Sequence, residues 1–283
     1  MIGAMGGATS AARARRRRRA ARLFKFDRSL GSRFVAGADE AGRGSLAGPL
    51  VAAAVLIDYE RLTLRDRRAL GELDDSKQRS TAEREELYPC VLRAAERIVV
   101  AVRCVRAIDR RGLHVTNLDA LARCLDRVAV DGAVCLVDGF RLGGRCAAEH
   151  VAVVDGDARS AAIAAASVVA KVTRDRYMHR VAPEHPEFGF AENVGYSTPE
   201  HRAAIIAAGP SILHRRSFQS IAYSQLELSG EAGAPGSESG FEVLPIEDAA
   251  RAVEGDPNDV EAQPVEIREL AGVVREPRSR QRP

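Results

Sequence analysis

The chain has no tryptophan, only three lysines beside 39 arginines, and an odd number of cysteines, five, with no C-x-x-C pair among them. Cys90, Cys104, Cys124, Cys135 and Cys146 sit in apolar or helical runs, so they read as reduced, buried thiols rather than a disulfide framework or a zinc site. No stretch approaches the ~20 apolar residues that span a bilayer. The arginine run near the N-terminus is followed by no apolar segment of the secretory kind. A cytoplasmic protein with no membrane partner is the expectation. What is present is enough for a proper core: 46% of 283 residues are hydrophobic, which suits one large domain or two small ones.

The formal net charge of +3 conceals an asymmetry. Residues 1–33 hold ten bases and one acid, Asp27, while residues 225–283 hold thirteen acids and six arginines. The first segment, with Arg15 to Arg19 unbroken, is too self-repelling to collapse. It is expected to be a disordered Arg-rich arm, serving either as a solubilising extension or as a nonspecific phosphate-binding arm. The last segment, rich in Gly, Pro, Ser and Glu, is expected to be an acidic disordered tail, with a short amphipathic piece at 246–253. Residues 34–224 between them are the expected folded domain.

That domain reads as α/β. Strands are predicted at 34–38, 49–57, 98–108, 133–137 and 151–154, and helices from Thr81, over 117–130, 158–181 and 199–207. Leu118, Leu121, Leu125 and Val128 give the second of these helices one apolar stripe. Strands preceding helices predict a mixed central sheet with helices packed on it.

The acids fall at informative places. Asp39 and Glu40 end an apolar strand and open a Gly-rich turn; Asp138 ends the strand AVCLV; Asp157 follows VAVV and a glycine. Burying four acids at strand ends is costly unless a cation offsets them, and carboxylate oxygens are what hard cations such as Mg²⁺ and Mn²⁺ select. Strand-end aspartates also serve as turn formers and helix caps, a reading that stays open for Asp157. Gly42, Arg43 and Gly44 form a turn whose backbone can approach a phosphate or sugar closely, although no Lys-Ser/Thr follows to make a P-loop. Lys77 in DDSKQRS and Lys171 in the long helix survive a strong bias toward arginine, as a compact ammonium facing a phosphate or carboxylates would.

In order and spacing, the strings GADEAGRGSLAGPLVAAAVL, DDSK, LVDG, GDARSAAIAAASVVAKVTRDR, GYSTPEH and GPSILHRRSF resemble those of bacterial ribonuclease HII, from about Phe34 to Ala222. The resemblance implies a ribonuclease H-like fold: a mixed central sheet flanked by helices, with acids at the sites of two divalent metals, Mg²⁺ or Mn²⁺. The family's four acids fall on Asp39, Glu40, Asp138 and Asp157. Its element that reads a ribonucleotide 2′-hydroxyl falls on Gly42, Arg43 and Gly44, and its sugar-packing tyrosine on Tyr196. Where members often carry Lys-Gly-Asp-x-Lys, this chain has Asp155 and Arg159, which reverses one charge and keeps the other. Ser76 and Lys77 suit backbone phosphates, and Tyr196 offers a stacking face.

The implied substrates are RNA–DNA hybrids and duplex DNA containing ribonucleotides, cut by a monomer. Two ions ~4 Å apart can activate water and stabilise a leaving 3′ oxygen, giving 3′-hydroxyl and 5′-phosphate ends. No histidine is then needed as base, so His114, His150, His179, His185, His201 and His214 read as structural by default, a place near the substrate being left open for His201 and His214 alone. Asp175, beside Arg174 and Arg176, reads as an ion-pair member. Two competing readings are a noncatalytic protein that binds nucleic acid through the Arg-rich arm, and a resolvase or transposase on the same fold. The acids argue against the first of these, and the Gly42–Gly44 turn with Tyr196 against the second.

Overall fold

The computed structural model describes residues 18, 21–70, 73 and 80–218, together with the backbone of 265–266. Ser76 and Lys77, most of the Arg-rich arm, and the acidic tail apart from 265–266 lie outside the described residues.

In chain order the elements are helix α1 (21–29), strands β1 (Phe34–Ala41) and β2 (Leu50–Asp58), and helices α2 (Leu64–Ala69) and α3 (Thr81–Ala94). Next come β3 (Arg97–Arg103), α4 (Val105–Arg111), α5 (Leu113–Val128), β4 (Val134–Asp138) and β5 (His150–Val153). Then follow α6 (Ala161–Val181), α7 (Phe190–Asn193), α8 (Pro199–Ala208) and the two residues of β6 (Val265–Glu266). The sheet order is β5-β4-β1-β2-β3-β6. β1, β2 and β3 run antiparallel, whereas β1, β4 and β5 run parallel, so the sheet is mixed as expected. No helix among the described residues is long and apolar enough to cross a membrane.

Both faces of the sheet are covered, which is why its strands read as unbroken apolar runs rather than alternating ones. Along β1 and β2 the period of two sorts residues between two cores. Val35, Val51, Val55 and Ile57 meet α6 and α3, while Ala36, Ala38, Ala52 and Ala54 meet Leu118, Leu121 and Leu125 of α5. Helix α6 approaches β1 so closely that a Cβ on Gly37 would overlap the backbone at Ile163 and Ala162. Its alanines allow that contact, and the helix is buried on nearly every side. The third cluster, Leu46, Met178, Phe188, Phe190 and Ile205, joins the end of α6 to the segment carrying α7 and α8.

Five expectations are corrected. The first strand does not stop at Ala38 but pairs with β2 through Ala41, so Asp39 and Glu40 lie inside β1. Cys124 and Cys135 are buried, but Cys90 and Cys146 are half-buried and Cys104 is exposed. The strand predicted to run to Ile108 ends at Arg103, and α4 begins at Val105, where the adjacent Ala107 and Ile108 are both buried. The long helix starts at Ala161 rather than 158, where the Ser160 side chain accepts from Ile163 N. Most consequential, residues 21–33 are ordered and belong to the folded part rather than to a disordered arm. Leu23 and Phe24 enter the main core, and buried Asp27 accepts hydrogen bonds from Tyr59 Oη (2.7 Å) and Ala162 N (3.0 Å). The latter satisfies one of the open N–H groups at the start of α6. Counting like charges obscured the apolar residues Leu23, Phe24, Phe26 and Leu30, all of which pack on the core.

Candidate active site

Parallel pairing of β1 with β4 sets Ala38 beside Val137, so one residue further on Asp39, still inside β1, comes level with Asp138, the last residue of β4. Asp39 lies on the α6 side, where Ser167 hydrogen-bonds its carboxyl, and its Oδ1 also accepts from Glu40 N at 2.7 Å. Burial raises its carboxyl well above the usual range, and the charges of Glu40 and Asp138 raise it further. Asp138 Oδ1 accepts from Gly156 N at 2.7 Å, which draws the turn Gly156–Ala158 against the end of β4. Asp157, in that turn, is buried. The four predicted acids thus lie at one end of the sheet: three sense one another electrostatically or by register, and the fourth is tied to Asp138 through its neighbour's backbone.

The Gly42–Gly44 turn leaves β1 beside these acids. Gly42 has φ +85°, and a Cβ there would overlap the Arg174 side chain and come within 2.7 Å of Pro49 O, so glycine is required. Gly44 instead borders open space. Arg43 extends over the Phe140 ring at 4.5 Å, two residues beyond Asp138. Two wholly buried guanidinium groups brace the turn from beneath. Arg174 donates to Pro49 O (3.1 Å) and Ala47 O (3.0 Å), and Arg215 donates to Gly48 O (2.9 and 3.0 Å), Pro49 O (3.1 Å) and Arg43 O (3.1 Å).

Tyr196 stands on a second turn joined to the first, since Gly195 O accepts from Leu46 N and Ala47 N. Lys171 Nζ lies 4.7 Å from the ring centroid and 3.4 Å from the hydroxyl, with Arg174 at 5.1 Å from the ring. Burial alone pushes the phenol up, but the charges of Lys171 and Arg174 outweigh it and hold it below its ordinary value. Lys171 also bonds Asp175 at 2.9 Å, and Asp175 meets Arg84 at 3.4 Å. Asp175 is therefore an ion-pair member as expected, though with Lys171 and Arg84 as its nearest partners. Arg176 pairs instead with Glu85, and Arg159 turns away over Phe26. His201 and His214 are buried behind the Tyr196 turn.

Ser167, Phe140, Arg174 and Arg215 escaped the sequence reading. A signal existed for two of them: Ser167, Lys171 and Arg174 recur at the four- and three-residue spacing of a single helix face.

A family model described as Ribonuclease HII matches residues 36–221. Ribonuclease HII of Mycolicibacterium gilvum (strain PYR-GCK) is 45% identical over 202 residues, covering 71% of this chain and 77% of its own length. The ribonuclease H2 structure from Pyrococcus horikoshii OT3 is similar with a TM-score of 0.59 at 25% identity, covering 71% of this chain and all of that one (100%). Bst-RNase HIII, solved in complex with Mn²⁺, shares the fold with a TM-score of 0.56 at 18% identity over 73% of each chain.

Proposed function

The chain belongs to the ribonuclease HII family, and from that premise we propose that it hydrolyses the RNA strand of RNA–DNA hybrids and incises at single ribonucleotides embedded in duplex DNA, leaving 3′-hydroxyl and 5′-phosphate ends. The observation that carries this reading is the acid group at the sheet end, where Asp39 is buried against the charges of Glu40 and Asp138.

Among the described residues no three His, Cys, Asp or Glu side chains are already closed around a common point. The donor set nevertheless fits hard divalent ions: it is all carboxylate oxygen, and the raised carboxyl of Asp39 marks a place short of positive charge. Asp39, Glu40, Asp138 and Asp157 would hold Mg²⁺ or Mn²⁺, which supply Lewis-acid activation of water and of the leaving oxygen when bound.

The remaining work falls to the chain itself. Ser167 and Glu40 N orient Asp39, and Gly156 N orients Asp138. The open side of Gly44 leaves room for a sugar to approach the turn, where backbone groups and Arg43 can test for a 2′-hydroxyl. Lys171 and Arg174 hold the Tyr196 ring in place to pack on the following sugar, favouring deoxyribose there. One chain carries all of these described residues, which supports action as a monomer.

The test is a DNA duplex carrying one ribonucleotide, incubated with Mg²⁺ or Mn²⁺ and, separately, with EDTA. Incision at the ribonucleotide with metal, none with EDTA and none in an all-DNA duplex is the expected result. Cutting of the all-DNA duplex, or cutting in EDTA, would overturn the reading.

A further inference from the structure

His201 and His214 are completely enclosed, and no step proposed above uses them. Every hydrogen bond they make has a direction that can be assigned. Ser211 N–H, at 2.9 Å, points at His214 Nδ1, which must therefore carry a lone pair; Ser211 Oγ is at 2.8 Å from the same atom. A neutral imidazole holds a single proton, so that of His214 is on Nε2. His214 Nε2 faces His201 Nε2 at 3.1 Å, so His201 accepts there and keeps its own proton on Nδ1. His201 Nδ1 then donates to the carbonyl oxygen of Tyr196 at 2.8 Å, an atom that can only accept. One assignment satisfies all the links: both rings neutral, in opposite tautomers, with hydrogen bonds running one way from Ser211 to Tyr196.

The surroundings favour the neutral state. Phe188 lies edge-on to His214 at 4.5 Å and Phe190 edge-on to His201 at 5.5 Å, and neither imidazole bonds a carboxylate among the described residues. The other titratable ring beside them, His185, packs on the same two phenylalanines. Burial holds His201 below its ordinary value, and burial with the charges of His201 and His185 pushes His214 down to about 3.

The end of the relay needs a clamp. The Tyr196 turn passes through Val194 at φ +42° and Gly195 at φ +82°, both left-handed, and the first is a strained conformation for a β-branched residue. Gly195 O is held by Leu46 and Ala47, and Tyr196 O by Thr198 N at 2.8 Å and by His201.

We propose that His201 and His214 are positioning residues, forming a one-way hydrogen-bond relay that fixes the Tyr196 carbonyl and thereby aims its ring at the sugar after the ribonucleotide. This rests on the reading of Tyr196 given above. The readout is therefore the ratio of two cleavage rates in the full chain, on a duplex with one ribonucleotide and on a continuous hybrid. Tyr196→Ala should lower that ratio by about fivefold or more, as loss of a stacking contact does.

His201→Asn sets an amide nitrogen near the place of Nδ1 and should keep the ratio, whereas His201→Gln cannot donate from there and should lower it by about fivefold, the worth of one hydrogen bond. In both variants cleavage of the continuous hybrid should stay within about twofold of wild type. In the unmodified protein at about pH 8, nitrogen-15 spectra of the side chains should show opposite neutral tautomers for the two rings. If Tyr196→Ala leaves the ratio unchanged, the reading of Tyr196 falls and the relay loses its purpose. If Tyr196→Ala lowers the ratio but the two His201 variants match each other, the relay alone is overturned. Should His201→Gln fail to fold, the spectra decide: like tautomers or a protonated ring refute the proposal.

Discussion

At Asp39 the requirements of folding and of chemistry oppose each other. Its carboxyl is raised by burial and by Glu40 and Asp138, so its folded value lies above the unfolded one. A carboxyl shifted that way binds its proton more tightly when folded, so metal-free stability falls as pH climbs from the unfolded value through the raised folded one. Asp39→Asn removes that charge while its amide oxygen can still accept from Glu40 N and Ser167. Without metal at neutral pH the variant should be more stable by about 0.5–2 kcal/mol, a rise of several degrees in Tm by calorimetry. Cleavage by Asp39→Asn, and equally by Asp138→Asn, should be lost while hybrid binding survives, since an amide is a poor ligand for a hard cation. Near-normal rates in either would refute the roles given to these acids. The acids were legible because a carboxylate following an apolar run is a local pattern, even though β1 carries on through Asp39 and Glu40 to Ala41. Arg174 and Arg215 were not: the carbonyls they brace lie 125 to 172 residues away in sequence. An arginine bound for the interior carries no mark in its own neighbourhood.

Among the elements, α1 shows how composition can mislead. Its bases suggested a solvated arm, yet Leu23 and Phe24 complete the core and Asp27 caps α6 from outside that helix. Deleting residues 1–20 should leave thermal unfolding unchanged, whereas deleting 1–33 should cost about 3–6 kcal/mol, the burial of two large apolar side chains. Equal melting curves for the two truncations would show that α1 contributes nothing. The segment around α8 should show a different signature on titration. His214 is held to about 3, far below an unfolded histidine, so below about pH 6.5 the unfolded chain takes up a proton that the folded one refuses. Stability should therefore fall by up to about 1.4 kcal/mol per pH unit as pH drops from 6.5 toward 3, and urea titrations of His214→Gln should show a shallower fall. The sheet and its flanking helices were legible from period and length. The start of α4 was not, because a β-branched run followed by Arg and Ile satisfies strand and helix alike until tertiary packing decides.

Taken whole, the molecule carries opposite charge at its two ends, with six arginines and no acid among residues 1–20 and thirteen acids among 225–283. If the segment before α1 contacts nucleic acid, removing residues 1–20 should flatten the dependence of hybrid affinity on salt and leave cleavage of short hybrids at low salt near normal. An unchanged slope would mean that this stretch does not bind phosphates. Inside the domain the geometry is governed by the contact at Gly37, where α6 rests on the backbone of β1 with no side chain between. The gap separating Asp39 from the helix face of Ser167, Lys171 and Arg174 is thus set by two main chains in direct touch. No void or soft rotamer lies there to be squeezed, and it is voids that give pressure its hold on a fold. Under hydrostatic compression the spacing across this seam should be the last in the protein to change, yielding only after the looser periphery has given way.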